Sequence, residues 1–262
     1  MKKLEFEIKP LGEVLRKDDL CDEASLVARI YKLLRARIID LSLPPEMPLV
    51  EKDVAVLLDA SKTPVREAII RLTREGLVEV VPKSGSYVTP INIDRYLQDC
   101  FVRQQLESGC VKRLALMGVD PAGAEELRAI VDEQESAMHE ESYANFFALD
   151  EKFHRKLFEL AGLNSAWDTL NAAKAELDRV RHLKRLFGVK RSEAVVSEHR
   201  KIVDAIVAQN PDVAGKTLQS HIGGIDDEIS VISKHPQLIK TIEDLNELVA
   251  LSRKTRNKRK ID

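Results

Sequence analysis

Apolar residues return every three to four positions along most of this chain, and a single short stretch alternates as strands do. Leu26, Val27, Ile30, Leu33, Leu34, Ile38 and Leu41 predict an amphipathic helix. Val50 to Leu58 predicts a shorter one after the break at Pro44-Pro45. A third has sharper ends. Thr63 can cap it, and Pro64 suits its first position, where the missing N–H costs nothing and the ring-fixed φ is already helical. Val65, Ala68, Ile69 and Leu72 then form its buried face, while Arg66, Ile70, Thr73 and Arg74 point elsewhere. Gly76 can take the left-handed conformation that closes a helix. Leu77 to Val81 reads as a strand, turned at Ser84-Gly85-Ser86 into a second strand at Tyr87-Val88.

Past Pro90 the strand signal ends. From Ile93 to about Leu251 helical patterns follow one another, with breaks near Gly118 to Pro121, Gly162 to Asn164, Gly188 to Lys190 and Asn210-Pro211. The predicted fold is mainly α, an N-terminal winged helix-turn-helix followed by a C-terminal all-α helical bundle. The expected segments are an extension over 1–24, the winged helix over 25–90, the bundle over 94–235, and a C-terminal helix with a basic tail over 236–262. Pro90-Ile91-Asn92-Ile93-Asp94 is the linker, short enough for the two parts to influence each other mechanically.

Three helices and a wing are a DNA-reading module whose second motif helix enters the major groove N-terminus first. Arg66, near that N-terminus, is the leading candidate for a base contact. Arg35, Lys62, Thr63, Arg74, Lys83 and Gly85 are candidates for further contacts, the glycine because a tip without a side chain lets backbone approach a phosphate closely. The competing reading makes Arg66 and Arg74 surface charges paired with Glu67 or Glu75. Net charge is only −2 over 262 residues, so attraction to nucleic acid has to come from local clustering. The basic run from Arg253 to Lys260 adds either non-specific DNA attraction or solubility.

The second constellation is metal-binding in type. Asp150 and His154 are four apart on a predicted helix and share one face. His199 lies near the middle of a later helix and His221 on the next. Three imidazoles and a carboxylate inside a bundle suit zinc first, and nickel or manganese as well. Each histidine also has a plainer reading, as a core residue with satisfied hydrogen bonds; His139, His182 and His235 lack partner spacing altogether. A metal-dependent hydrolase would need a general base beside the ion. Glu151 is turned about a third of a helix away from Asp150, Glu198 is no better placed relative to His199, and hydrolysis leaves the DNA-reading segment unexplained. Cys21, Cys100 and Cys110 have no metal or disulfide spacing and read as reduced thiols. No apolar run approaches a membrane span, so a cytoplasmic protein without a membrane partner is expected.

The stretch from Ile30 through Val88, with Tyr31-Lys32-Leu33-Leu34-Arg35, Leu49-Val50-Glu51, Thr63-Pro64-Val65-Arg66-Glu67-Ala68, Arg71-Leu72 and Glu75-Gly76-Leu77-Val78, resembles the winged-helix domain of GntR-family bacterial regulators. It departs where the family usually has Gly and this chain has Glu46, where Gly-Val is replaced by Asp59-Ala60, and where Arg is replaced by Lys62, which loses the bidentate fork that Arg offers guanine. Arg103-Gln104-Gln105-Leu106-Glu107, Asp150-Glu151-Lys152-Phe153-His154, Asn164, Glu198-His199 and Ser220-His221 resemble the FCD domain, the helical effector domain of the FadR-type branch. The resemblance implies a metabolite-responsive repressor that binds two-fold operator DNA as a homodimer formed through the helical domain. It implies a divalent metal on Asp150, His154, His199 and His221, and a small organic or sugar acid completing its coordination. Arg103 would supply a guanidinium to that acid, unless it pairs with Glu107 one turn on, and Asn171 a hydrogen bond. A purely structural metal is the alternative.

Overall fold

The computed structural model describes residues 9–140, 142–188 and 192–258, the last stretch from 248 as backbone. The basic run from Arg253 to Lys260 therefore lies outside the described side chains. The elements are α1 (Leu11–Val14), a 3-10 turn (Lys17–Asp19), α2 (Leu26–Ile39), α3 (Glu51–Leu57), α4 (Lys62–Arg74), β1 (Val78–Val81), β2 (Gly85–Val88), α5 (Ile93–Met117), α6 (Pro121–His139), α7 (Tyr143–Leu160), α8 (Asn164–Ala173), α9 (Ala175–Leu186), α10 (Ser192–Val207), α11 (Pro211–Ile222), α12 (Ile225–Ser233) and α13 (Pro236–Lys258).

These elements fall into two compact units, and sequence order does not divide them. The first comprises residues 1–96 together with α9 (residues 175–187) and the chain from Ile232 onward; the second comprises residues 97–174 and 188–231. A helix from the middle of the predicted bundle thus belongs to the winged-helix unit.

In the first unit, α2 packs on α4, and α3 on α4, around Ile30, Leu34, Ile38, Val54, Leu58, Val65, Ala68, Ile69 and Leu72, all buried. The predicted α4 face is the observed one. Leu26 differs: it is exposed, because it is the first helical residue after Ser25, whose hydroxyl accepts from the Ala28 N–H. The start of α4 also differs. Ser61 is the extended residue before it, and Lys62 and Thr63 are already helical. Pro64 is therefore third, a position whose N–H would still have no intrahelical partner. The hairpin is antiparallel, with Val78 opposite Val88 and Val81 opposite Gly85. Gly85 stands in the second strand, so the tip is Pro82-Lys83-Ser84, with Lys83 at φ 61°. The segment before α3 borders the wing: Leu49 N–H donates to Ser86 O at 2.9 Å and Val88 N–H to Met47 O at 3.0 Å.

Two departures from the GntR pattern sit at left-handed backbone positions: Glu46 has φ 65° and Asp59 φ 50°. Glycine enters that region without the Cβ clash that any other residue meets.

In the second unit, α6 packs on α7 and α10, and α10 on α11. Val111, Leu114, Leu127, Phe153, Leu157, Phe158, Leu170, Ile202, Ile206 and Leu218 form its core. Three of the expected breaks are present: Gly118 (φ 78°) and Gly162 (φ 69°) close α5 and α7, and Asn210 caps α11 through the Val213 N–H, whereas the break expected at Gly188 to Lys190 lies partly outside the described residues. No described helix is long and apolar enough to cross a membrane.

Candidate functional site

The candidate DNA-reading surface lies on α4 and the wing. Lys62, Thr63, Arg66 and Arg74 are exposed along the helix, and Lys83 and Gly85 are exposed at the wing. Arg66, its side chain 62% exposed, is gripped by neither Glu67 nor Glu75. It donates to both oxygens of Glu51 on α3, from Nε at 2.9 Å and from Nη2 at 2.8 Å. Arg35 is placed differently. Its side chain is only 18% exposed; Nε donates to Glu75 at 2.9 Å and Nη2 to Asp178 of α9 at 3.0 Å, while the Tyr31 hydroxyl donates to the other Glu75 oxygen.

The metal-type cluster lies inside the second unit. One turn of α7 carries Asp150 and His154, α10 carries His199 and α11 carries His221; all four are buried, and one ligand atom from each lies within 4.8 Å of every other. His199 Nε2 is 3.1 Å from His221 Nε2, which is 3.4 Å from His154 Nε2. Asp150 Oδ1 stands 3.6 Å from His199 Nε2 and 3.9 Å from His154 Nε2. Ligands about 2.0–2.1 Å from a zinc ion stand about 3.3–3.4 Å apart in a tetrahedron, so the spacing fits a first-row divalent ion.

What turns the three Nε2 atoms inward is the partner of each Nδ1. His154 Nδ1 is 2.6 Å from Glu107 of α5, His199 Nδ1 2.8 Å from the side-chain oxygen of Gln134 on α6, and His221 Nδ1 2.8 Å from Glu198 on α10. An acceptor at Nδ1 holds the proton there and leaves the Nε2 lone pair for an ion. The ring of Phe153 stacks on His199 with centroids 4.0 Å apart, giving the site an apolar wall. Burial first, and then the neighbouring His221, keep His199 neutral far below the ordinary value of 6.5, against the pull of Asp150. Burial likewise lowers His221, opposed by its bond to Glu198. Neutral imidazole is the ligating form.

Arg103 of α5 is buried at the edge of the cluster. Its Nε donates to Glu107 at 2.7 Å and its Nη2 lies 3.0 Å from His154 Nε2. The ion pair with Glu107 and a place beside the cluster are thus both realised. Burial works against the Glu107 carboxylate, but Arg103 and His154 outweigh it and hold it well below the usual carboxylate range. Asn171 lies half-buried on α8, and among the described residues no hydrogen bond joins it to the four. Glu151 is bound to Lys174 and Glu198 to His221, so neither carboxylate is poised as a base. Cys110 is buried nearby in the same core, its thiol pushed up to about 12 by burial.

Sequence reasoning did not find Gln134 or the roles of Glu107 and Glu198 toward the histidines. A glutamine on the apolar stripe of α6, between Val131 and Ala137, was the available signal.

Comparison with known proteins gives matches over most of the chain. Residues 26–88 match the profile of bacterial regulatory proteins of the gntR family, and residues 100–224 that of the FCD domain. An uncharacterized HTH-type transcriptional regulator in an unstable DNA locus of Streptomyces ambofaciens is 37% identical over 81% of this chain and 89% of its own length. The HTH-type transcriptional repressor RspR of Escherichia coli K12 is 32% identical over 78% of this chain and 89% of its own. Among solved structures, E. coli McbR/YncC superposes with a TM-score of 0.67 at 18% identity, covering 81% of this chain and 99% of that one, a likeness of fold.

Proposed function

Since the chain belongs to the GntR family of bacterial regulatory proteins, DNA-binding transcriptional regulators rather than enzymes, with an FCD domain after its winged helix, we propose that it is a repressor controlled by a small carboxylate at a divalent metal. It would bind operator DNA as a dimer. The observation that carries the metal half is the convergence of three Nε2 atoms and one carboxylate oxygen, with every Nδ1 held from outside.

Asp150, His154, His199 and His221 would hold the ion, zinc foremost, with nickel and manganese also served by this donor set. When bound, the ion supplies a concentrated positive charge to an oxyanion. Arg103, its Nε fixed by Glu107, keeps an Nη group at the edge of the cluster where a carboxylate can be gripped. Asn171 is a further candidate donor. The acid acts by binding one arrangement of the helical unit better than another, since only differential affinity shifts an equilibrium. On DNA, Lys62, Thr63 and Arg66 would enter the major groove, Arg74 would face the backbone, and Lys83 and Gly85 would approach phosphate at the wing. Arg35 is assigned to Glu75 and Asp178 instead.

The test is elemental mass spectrometry of protein purified without chelator, beside the variant His199→Ala. About one ion per chain in the parent, largely lost in the variant, is expected; a parent that carries no metal and takes up neither zinc nor nickel sinks the reading. One observation favours a purely structural metal: four protein ligands already complete a tetrahedron. Organic acids that leave both the melting point and the operator affinity of the loaded protein unchanged would establish that alternative.

A further inference from the structure

Helix α9 is buried almost all round in its first two turns: Ala175 through Val180 are all buried, and Leu183 with them. Three of those residues, Glu176, Asp178 and Arg179, are charged. Charged groups are buried only against specific partners; Glu176 pairs with Arg179 on the same helix at 3.1 Å, while Asp178 and Arg179 also reach the DNA-reading module. Asp178 takes Arg35 of α2, whose other donor holds Glu75, the residue that ends recognition helix α4. Arg179, fully buried, donates to the carbonyl of Thr89 at 2.9 Å and also reaches Pro90, the two residues that follow the wing. Ala175 packs in the winged-helix core, and Lys184 reaches the Tyr96 hydroxyl at the start of α5. The next linker residue is held from another side: Asn246 of α13 accepts from Ile91 N–H at 2.9 Å and donates to Ile91 O at 3.0 Å, using both halves of its amide on one backbone residue.

We infer that Asp178, Arg179 and Asn246 are positioning residues for DNA recognition: they set the C-terminal end of α4 and the exit of the wing. Helix α9 is then the part of the FCD segment through which a change in the bundle reaches the DNA-reading surface. The residues on either side of it, in α8 and at Gly188, belong to the unit that carries the metal-type cluster. Arg35 transmits from Asp178 to Glu75, and Arg179 transmits to the wing. The signalling half of this inference rests on the proposed metal site; the positioning half does not.

Hydrogen–deuterium exchange on the full chain tests both halves. In Asp178→Asn and in Asn246→Ala, amides within residues 72–91 should exchange at least about tenfold faster, while those of α6, α7 and α10 keep the parent's rates. Asn246 is only half-buried, so that variant retains a fold even if changes in α9 prove disruptive. Parent-like exchange over residues 72–91 in both variants, or a uniform rise across the whole chain, overturns the positioning role. Zinc alone serves as the second probe. Where zinc binds, it should change exchange over residues 72–91 in the parent and not in Asp178→Asn, at equal zinc content. Zinc bound without any such change in the parent overturns the signalling role. A parent that binds no zinc fails the metal reading and with it the signalling half, while the positioning role stands or falls on the first comparison.

Discussion

The side-chain oxygen of Gln134 lies 2.8 Å from Nδ1 of His199, which fixes the imidazole with its other nitrogen facing His221 and Asp150. Gln134 is fully buried and never touches the cluster's centre, yet it decides which nitrogen of His199 carries the proton. Replacing it with Leu frees the ring to take either tautomer. Gln134→Leu should weaken zinc affinity roughly ten- to a hundredfold, the usual range for such outer partners. A competitive titration against a chromogenic chelator checks it, and parent-like affinity would count against the tautomer lock.

Metal-free protein should lose stability as acid is added from about neutral. His199 and His221 have folded pKa values below the ordinary 6.5 because burial disfavours their charged forms. Their contribution is therefore fully present above about 6.5 and falls as pH drops below it, because the unfolded chain takes up protons that the folded chain refuses. Each histidine contributes a slope of up to about 1.4 kcal/mol per pH unit. Urea unfolding of chelator-treated protein between pH 7.5 and 5 measures it. A flat profile would mean that the two rings are not buried neutral, and added zinc should raise the whole curve.

Asp59 occupies a left-handed position, at φ 50°, where the family usually has glycine. Its exposed ion pair with Lys17 offers little in return. Asp59→Gly should raise the melting point by up to about 3 °C through relief of the backbone. A fall would show that the surface pair outweighs the conformation.

On DNA, Arg66 and Lys83 should differ in kind. With a duplex selected from a random pool, Arg66→Ala should weaken binding roughly ten- to a hundredfold and relax preference at one base position. Lys83→Ala should weaken all duplexes alike and reduce the salt slope by about 1. Glu51→Gln should tighten binding, since the Glu51 carboxylate now engages Nε and Nη2 of Arg66. Fluorescence anisotropy at several salt concentrations separates the three; identical behaviour of the two cation variants would remove Arg66 from base reading.

The winged helix and most of the bundle were legible because their information is local. The 3.6-residue recurrence of Val65, Ala68, Ile69 and Leu72 specifies a buried face, and the four-residue step from Asp150 to His154 specifies a shared one. The other two candidate ligands, His199 and His221, were visible as imidazoles on later helices, but only family likeness tied them to α7, since nothing in their spacing does. The acceptors that orient the rings were not legible at all. Glu107, Gln134 and Glu198 act across distances set by helix packing, and a lone glutamine on an apolar stripe does not announce which ring it meets. The placement of α9 was hidden for the same reason: its charge pattern, Glu176-Leu177-Asp178-Arg179, reads as a solvated surface until its partners are known. The two-residue shift at the start of α4 reflects a cap that Ser61 and Thr63 could each have supplied.

Because α9 is folded into the winged-helix unit while its chain neighbours are not, the DNA-reading head is not a separable cassette. Recombination that joined a foreign head at residue 90 would bring no Arg35 matched to Asp178 and no backbone shaped for Arg179, and would bury an acid and a guanidinium against strangers. Heads should therefore pass between lineages of this type together with α9 or not at all, so the identities at 35, 75, 178 and 179 ought to change in concert where the operator changes.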